Sequence, residues 1–307
     1  MTRVYSAAEV HAALPWAPLA AALETAFVTG ATVPLRHAHA MSATDTLLLM
    51  PAWNERIAIT KLVTVIPSAS HTVQATLLVL DRASGAPLAL MDGEAITLRR
   101  TAATSALAAQ RLARRDAHTL LVVGNGRLAP WMVRAHRALR PGLTRVLMWA
   151  RRPAAAQALA AQLAAEGLPA EAVADLDAAL PQAQIVCCAT TSHEPIVRGD
   201  RLAPGTHLDL VGAFKPDMRE VDDAAVVRSR IVVDTYTGAL AEAGDLHQPL
   251  ALGLIGRDAI VADLAELLRG THEGRRSDDE LTLFKSVGTA LEDLAAADLV
   301  LAGGLRA

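Results

Sequence analysis

The chain has 307 residues, 52% of them hydrophobic, 3% aromatic and 20% charged, with a net charge of -3 at pH 7. That length suits two domains with ample buried core, and with so few rings the core is expected to be Ala, Leu and Val. A near-neutral balance with no Lys/Arg run interleaved with aromatics argues against nucleic acid, and no run of about 18 apolar residues suggests a membrane span.

The opening stretch, MTRVYSAAEVHAALPW, lacks the charged start, apolar block and cleavage site of a signal peptide. Ser6 and Glu9 have capping-box spacing and open helices over residues 6–28. Arg36 follows a proline in a loop-like stretch, VPLRHAH. Strand-like runs come next: TLLLMPA from Thr46, IAITKLVTVIP from Ile57 and TVQATLLVL from Thr72. DRASG, with Asp81 and Gly85, is a turn into APLALM, and an Ala-rich helix spans about Glu94 to Arg115.

The pattern changes after Asp116. HTLLVVG is a short apolar strand of the kind buried on both faces of a parallel sheet. A helix over about 128–140, strand RVLMWA, a helix over about 153–166, and strands QIVCCAT, HLDLVG and RIVVDT follow. This alternation predicts an α/β fold with a Rossmann-type, doubly wound parallel sheet. Cys187 and Cys188, the chain's two cysteines, are adjacent and cannot staple distant segments, and no Cys-based metal site is visible. These features point to the cytoplasm. From about Leu281 the chain leaves the rhythm with LTLFKSVG and a last helix from near Thr289.

The first strand of the alternating block ends in Gly124-Asn125-Gly126-Arg127-Leu128-Ala129, which fits G-x-G-x-x-A between a strand and a helix. There, Gly124 permits a tight turn, Gly126 lets the backbone approach a pyrophosphate, and Ala129 allows close helix–strand packing. The phosphate would lie at the helix N-terminus. The second strand ends at Trp149-Ala150 without the Asp or Glu that binds ribose hydroxyls, and Arg151 and Arg152 follow. Arginine there can pair with a 2′-phosphate, so NADP is the expected cofactor, with NAD as the alternative.

At period two, Ile57, Ile59, Lys61, Val63 and Val65 share one face of their strand. An ammonium among them is costly unless it meets an anion or loses its proton. Arg100 shares a helical stripe with Ile96, Ala103 and Leu107. With Arg36, these cations could hold a carboxylate, Arg doing so bidentately. His37, His39 and His71 lack metal-ligand spacing. Glu292 and Asp293 suit the dipole of the last helix, and Asp234 and Asp245 carry no assigned role.

Over nearly its whole length the chain resembles the ornithine cyclodeaminase/mu-crystallin family, on ITKLVTVIP at 59–67, TVQATLLVLDRASGAPLALMDG at 72–93, ITLRRTAATSALAA at 96–109, GNGRLA at 124–129, ATTSHEPI at 189–196, VGAFKPDMREVD at 211–222 and LFKSVGTALEDLAAA at 283–297. The resemblance implies a discontinuous substrate-binding and dimerisation domain of α+β type, residues 1–115 plus 285–307, into which a dinucleotide-binding domain, 116–284, is inserted. It places Arg36, Lys61 and Arg100 on the substrate carboxylate, with Lys61 the catalytic candidate. Thr76, Arg127, Leu128, Arg151, Thr190 and the Val211-Gly212-Ala213 turn would lie near the cofactor. Val287 and Gly288 would close over nicotinamide and substrate. Two departures matter. Ornithine cyclodeaminases carry an Asp just after the glycine where this chain has Ala213, which removes the partner of the second amino group. Leu128 stands where many members have Gln. The implied function is NAD(P)H-dependent reduction of a small imine carboxylate, such as pyrroline-2-carboxylate or piperideine-2-carboxylate, by a homodimer that binds neither nucleic acid nor membrane. The rivals are ornithine cyclodeamination, amino-acid (alanine) dehydrogenation, and a non-catalytic mu-crystallin-like binding role.

Overall fold

The protein is described from a computed structural model covering residues 2–70 and 72–304; His71 therefore lies outside the described residues. In chain order the first elements are β1 (Arg3–Tyr5), α1 (Ala7–Ala13), α2 (Trp16–Thr29), β2 (His37–Ala40), β3 (Thr46–Trp53), β4 (Ile57–Val65), β5 (Val73–Asp81), β6 (Pro87–Asp92) and α3 (Gly93–Leu112). There follow β7 (Thr119–Val123), α4 (Ala129–Leu139), β8 (Arg145–Trp149), α5 (Pro153–Ala165), β9 (Ala170–Ala172), α6 (Leu176–Ala179), β10 (Ile185–Cys188) and β11 (His207–Leu210). The last are α7 (Asp223–Val227), β12 (Ser229–Val233), α8 (Tyr236–Glu242), α9 (Gly244–Ala251), β13 (Ile260–Asp263), α10 (Leu264–Arg269), β14 (Leu281–Lys285) and α11 (Ala290–Gly304). Two compact units result, residues 1–101 with 289–307, and residues 102–288.

In the first unit a six-stranded sheet runs β1-β6-β5-β4-β3-β2, antiparallel except where β1 joins β6. Ser6 and Glu9 form the expected capping box on α1, and Pro15 separates α1 from α2. The stretch after Pro34, expected as loop, supplies β2: His37–Ala40 pairs with Thr46–Leu49. Its four residues are exposed and lack an alternating apolar pattern, so periodicity could not reveal it. On β4 the period-two reading holds: Ile57, Ile59, Lys61 and Val63 are buried while their alternates are not. Register sets Tyr5, Met91, Leu77, Lys61 and Met50 in one row across the sheet, all buried. Helix α11 packs on this sheet at β3 and β4 and against α1 and α2.

The second unit is built on an eight-stranded parallel sheet, ordered β13-β12-β14-β11-β10-β7-β8-β9. Strand order reverses at β7, with β8 on one side and β10 on the other, so the crevice beyond the carboxyl ends of β7 and β10 is a topological switch point. The sequence reading ended the rhythm at Leu281, but β14 lies inside this sheet between β11 and β12. LTLFK is buried throughout and pairs in parallel with both neighbours, but the irregular stretch 270–280 separates it from α10, which breaks the alternation in the sequence. Among the described residues no single helix is long and apolar enough to cross a membrane; only the bent pair α1 and α2 meets the length and composition together. Leu19, Ala20, Leu23 and Phe27 of α2 are buried in the first unit.

Candidate active site

In the first unit, Lys61 is carried into the core by the alternation of β4. Its Nζ lies 2.6 Å from Asp293 and donates to Thr97 Oγ1 at 3.2 Å. One turn further along α3 than Thr97, Arg100 points to the same place. Its Nε donates to Asp293 Oδ1 at 3.0 Å and its Nη1 to Glu292 Oε2 at 2.7 Å. Asp293 thus bridges both cations, one oxygen to each. All four side chains are buried, and their formal charges cancel. Burial pulls Lys61 down to about 8; Asp293 opposes that fall and Arg100 adds to it. Burial alone would push the Asp293 carboxyl up, but Lys61 and Arg100 more than offset it and hold it below its ordinary range.

From the sequence these cations await a substrate anion, and Glu292 and Asp293 serve the helix dipole. The structure gives the acids a further role, since their side chains are the internal counter-ions that make burial of Lys61 and Arg100 tolerable. The signal that could have found them is two adjacent acids in an otherwise Ala/Leu helix, matched by two cations in other apolar elements. Arg36 is half-buried and immediately precedes β2. Thr76 is exposed on β5 and pairs with Leu62, on the face opposite Lys61 and Leu77.

Apart from Thr76, which lies in the first unit, the residues expected at a dinucleotide lie in the second unit at the carboxyl ends of its strands. Gly124 follows β7 with φ of 124°, and a Cβ there would meet Ala189 O at 2.5 Å, so glycine is required twice over. At Gly126 a Cβ would meet nothing within 4 Å, which is the open space a closely approaching phosphate needs. Arg127 is exposed, Leu128 half-buried and Ala129 buried against the sheet. Helix α4 starts at Ala129 with no side-chain cap and with proline in its first turn. Its amide end therefore suits an anion. Arg151 and Arg152 are exposed directly after β8, with no acid there. These features fit a nicotinamide dinucleotide.

Three buried carboxylates, Glu220 and the two without an assigned role in the sequence, Asp234 and Asp245, organise the remaining loops. Glu220 accepts hydrogen bonds from Thr190 N and Oγ1 through one oxygen and from Gly212 N and Ala213 N through the other. Asp234, just beyond β12, accepts from Val287 N at 2.8 Å, Gly288 N at 2.7 Å and Ser286 Oγ at 3.1 Å, all just beyond β14. Asp245 pairs with Lys285 at 3.0 Å, both fully buried, and accepts from the Glu220 and Val221 amides. Val211 continues from β11 and donates to Cys188 O at 3.1 Å. Ala213 is fully buried, and its methyl offers no carboxylate.

His37 and His39 are exposed. Sequence spacing shows no Cys-based cluster, yet His136, Cys187 and Asp209 place ligand atoms within 4.8 Å of one another in the buried core. His136 Nε2 lies 2.9 Å from Asp209 Oδ2, and burial pushes the Cys187 thiol well above its usual range. An internal His–Asp pair accounts for the cluster.

A sequence model of the ornithine cyclodeaminase/mu-crystallin family matches residues 1–303. A Δ1-pyrroline-2-carboxylate reductase of Paracoccus denitrificans is 44% identical over 75% of this chain and 72% of its own. The solved Δ1-pyrroline-2-carboxylate reductase of Thermococcus litoralis, in complex with NADH and L-proline, superposes with TM-score 0.94 at 32% identity, covering 99% of this chain and 98% of its own. An archaeal alanine dehydrogenase dimer with bound NAD superposes at 0.93 with 27% identity, covering 99% and 96%.

Proposed function

The chain belongs to the ornithine cyclodeaminase/mu-crystallin family, and within it we propose that it is an NAD(P)H-dependent reductase of a small ketimine carboxylate such as pyrroline-2-carboxylate or piperideine-2-carboxylate. The observation that carries this choice over cyclodeamination is Ala213. The turn after β11 keeps its glycine and its amide contacts to Glu220 but holds no carboxylate for a distal ammonium, whose desolvation would go uncompensated. Relatives named as pyrroline-2-carboxylate reductases and a solved one bound to NADH and proline support the same substrate class.

When bound, the reduced nicotinamide supplies a hydride, which the imine carbon accepts. The chain's own residues position the substrate and supply the proton. Lys61, Arg100 and Arg36 hold the carboxylate. Lys61 and Arg100 are balanced by Glu292 and Asp293, so the substrate carboxylate is held by hydrogen bonds exchanged within this cluster together with Arg36. Lys61, at about 8, is mostly protonated at neutral pH yet acidic enough to deliver a proton to nitrogen. Arg151 and Arg152 favour NADP through the 2′-phosphate. The face of the first unit's sheet opposite Lys61, with Leu62 exposed and Leu49 and Leu78 half-buried beside it, suits a homodimer. Cytoplasmic residence fits a reaction run on NAD(P)H with both cysteines reduced and buried.

The test is loss of reduced-nicotinamide absorbance with purified protein, NADPH or NADH, and a panel of cyclic imine carboxylates. Rapid oxidation that Lys61→Ala abolishes is expected. Proline and ammonia released from ornithine with NAD, without net absorbance change, would overturn the reading of Ala213.

A further inference from the structure

Glu220 is fully buried, yet it sits in none of the strands that form the cofactor-facing edge. It lies in the loop between β11 and α7, and its chain is held in place from behind: Asp245 of α9 accepts the Glu220 amide at 2.8 Å and the Val221 amide at 3.2 Å. The Glu220 amide is thereby fixed, and the carboxylate is thrust forward between two turns. One oxygen takes Thr190 N at 2.7 Å and Thr190 Oγ1 at 3.0 Å, in the turn after β10. The other takes Gly212 N at 2.7 Å and Ala213 N at 3.3 Å, in the turn after β11. Gly212 is part of the same construction, because a Cβ there would lie 2.3 Å from Glu220 Oε1 and 2.0 Å from Thr190 O.

Three of the four partners are backbone N–H groups, which can only donate. The arrangement is therefore complete for a carboxylate and incomplete for a carboxylic acid, whose proton would face amides on nearly every side. We infer that Glu220 is a positioning residue that ties the turns after β10 and β11 together, and that nicotinamide-cofactor affinity depends on this carboxylate being ionised. The inference rests on the reading of this strand edge as the cofactor site.

Ionisation here is finely balanced. Burial pushes the Glu220 carboxyl up to about 7, Lys285 opposes the rise, Asp245 adds to it, and the Thr190 and Gly212 amides oppose it. The titratable and charged groups around it are Lys285 from β14, Asp245 from α9 and the Cys187 and Cys188 thiols from β10; its neighbour Arg219 turns away to Val221 O, Asp223 and Gln248. A clamp that titrates near neutrality is competent above that point and released below it.

The experiment is NADH binding, followed by the fluorescence of the bound nucleotide, to the full-length protein and to Glu220→Gln at pH 6 and pH 8. NADH is the probe because its pyrophosphate does not titrate in this range. If only the ionised clamp is competent, the apparent Kd scales inversely with the ionised fraction and weakens about tenfold from pH 8 to pH 6. Glu220→Gln presents an amide N–H₂ to one pair of donors, so its Kd at pH 8 should rise about 10–100-fold, from the loss of charged hydrogen bonds. Its pH dependence should vanish, and the effect should fall on KM for NADH more than on kcat. A wild-type Kd that is flat between pH 6 and 8 overturns the inference, as does a folded Glu220→Gln that binds NADH like wild type. Should the variant not fold, the wild-type pH profile decides alone. Failure of the wild type to bind either NADH or NADPH at both pH values would overturn the cofactor reading as well.

Discussion

Asp293→Asn tests the cation cluster most directly, because it removes one negative charge and almost no volume. In the wild type Asp293 touches two buried cations, Lys61 at 2.6 Å and Arg100 at 3.0 Å. An Asn carbonyl can still accept from Arg100 Nε, but its N–H₂ then faces the Lys61 ammonium, donor against donor. Breaking a buried ion pair by removing one partner costs about 3–5 kcal/mol. With an unfolding entropy of about 2.1 cal/mol/K per residue, the 307-residue chain shifts by roughly 1.5 °C per kcal/mol, so the thermal midpoint at pH 7 should fall by about 5 °C or more.

The variant has one escape, which fixes the sign of its pH dependence. Asp293 is what raises Lys61 against burial and Arg100, so in Asp293→Asn the folded-state value drops below about 8 while the unfolded value stays near about 10.4. Between those values the folded chain binds fewer protons than the unfolded chain, and stability rises with pH. The deficit should therefore shrink between pH 7 and pH 9 as Lys61 becomes neutral. If Lys61 is the proton source, the alkaline limb of kcat/KM should also move to lower pH. Thermal unfolding of both proteins at the two pH values is the assay. An unchanged midpoint at pH 7, or a deficit that is constant with pH, would refute the claim that Asp293 is the structural counter-ion of a charged Lys61.

Three further outcomes follow from the second unit. Gly126→Ala enters open space, so the fold should keep its stability while cofactor affinity falls by about tenfold or more, as a backbone approach is blocked; Gly124→Ala, with Ala189 O at 2.5 Å and a φ of 124°, should lower the thermal midpoint as well. Arg151→Ala with Arg152→Ala should raise the KM for NADPH by about tenfold, the value of a charge-assisted pair, and leave NADH nearly unchanged; equal effects on both would remove the 2′-phosphate argument. Asp234→Asn should loosen the Val287–Gly288 turn and cost about 1–3 kcal/mol, read as a lower thermal midpoint that added cofactor partly restores. An Asp234→Asn midpoint equal to wild type would show that the turn holds itself.

Much of this was legible in the sequence because it is local. The capping box on α1, the alternation of β4 and the G-x-G-x-x-A turn are each decided by residues a few positions apart, and each stands where periodicity and glycine geometry put it. The edge strands β2 and β9 were not legible, since an exposed four-residue strand and a partly buried three-residue strand have too few turns of the pleat to display a period. β14 was misread for the opposite reason: it is central, but its place between β11 and β12 depends on parallel partners more than 45 residues away in sequence.

The buried carboxylates were hidden by the same distance. Arg100 and Asp293 are 193 residues apart, and Lys285 and Asp245 are 40 apart. What the sequence did show was the cost: an ammonium on an apolar strand and a guanidinium on an apolar helical stripe must each find an anion. That demand was correct, but the anion expected there, a substrate carboxylate, is preceded in the structure by the internal carboxylates of Glu292 and Asp293. An internal carboxylate changes what the cluster can do, because a neutral set of four charges attracts a substrate carboxylate far less than three bare cations would. Substrate affinity then rests on Arg36 and on exchange of hydrogen bonds within the cluster. Arg36→Ala should accordingly raise KM for an imine carboxylate by more than tenfold with a smaller fall in thermal midpoint than Arg100→Ala, whose loss breaks two buried ion pairs and should lower both affinity and stability. The contrast separates the cation that recognises substrate from the one that also holds the core together.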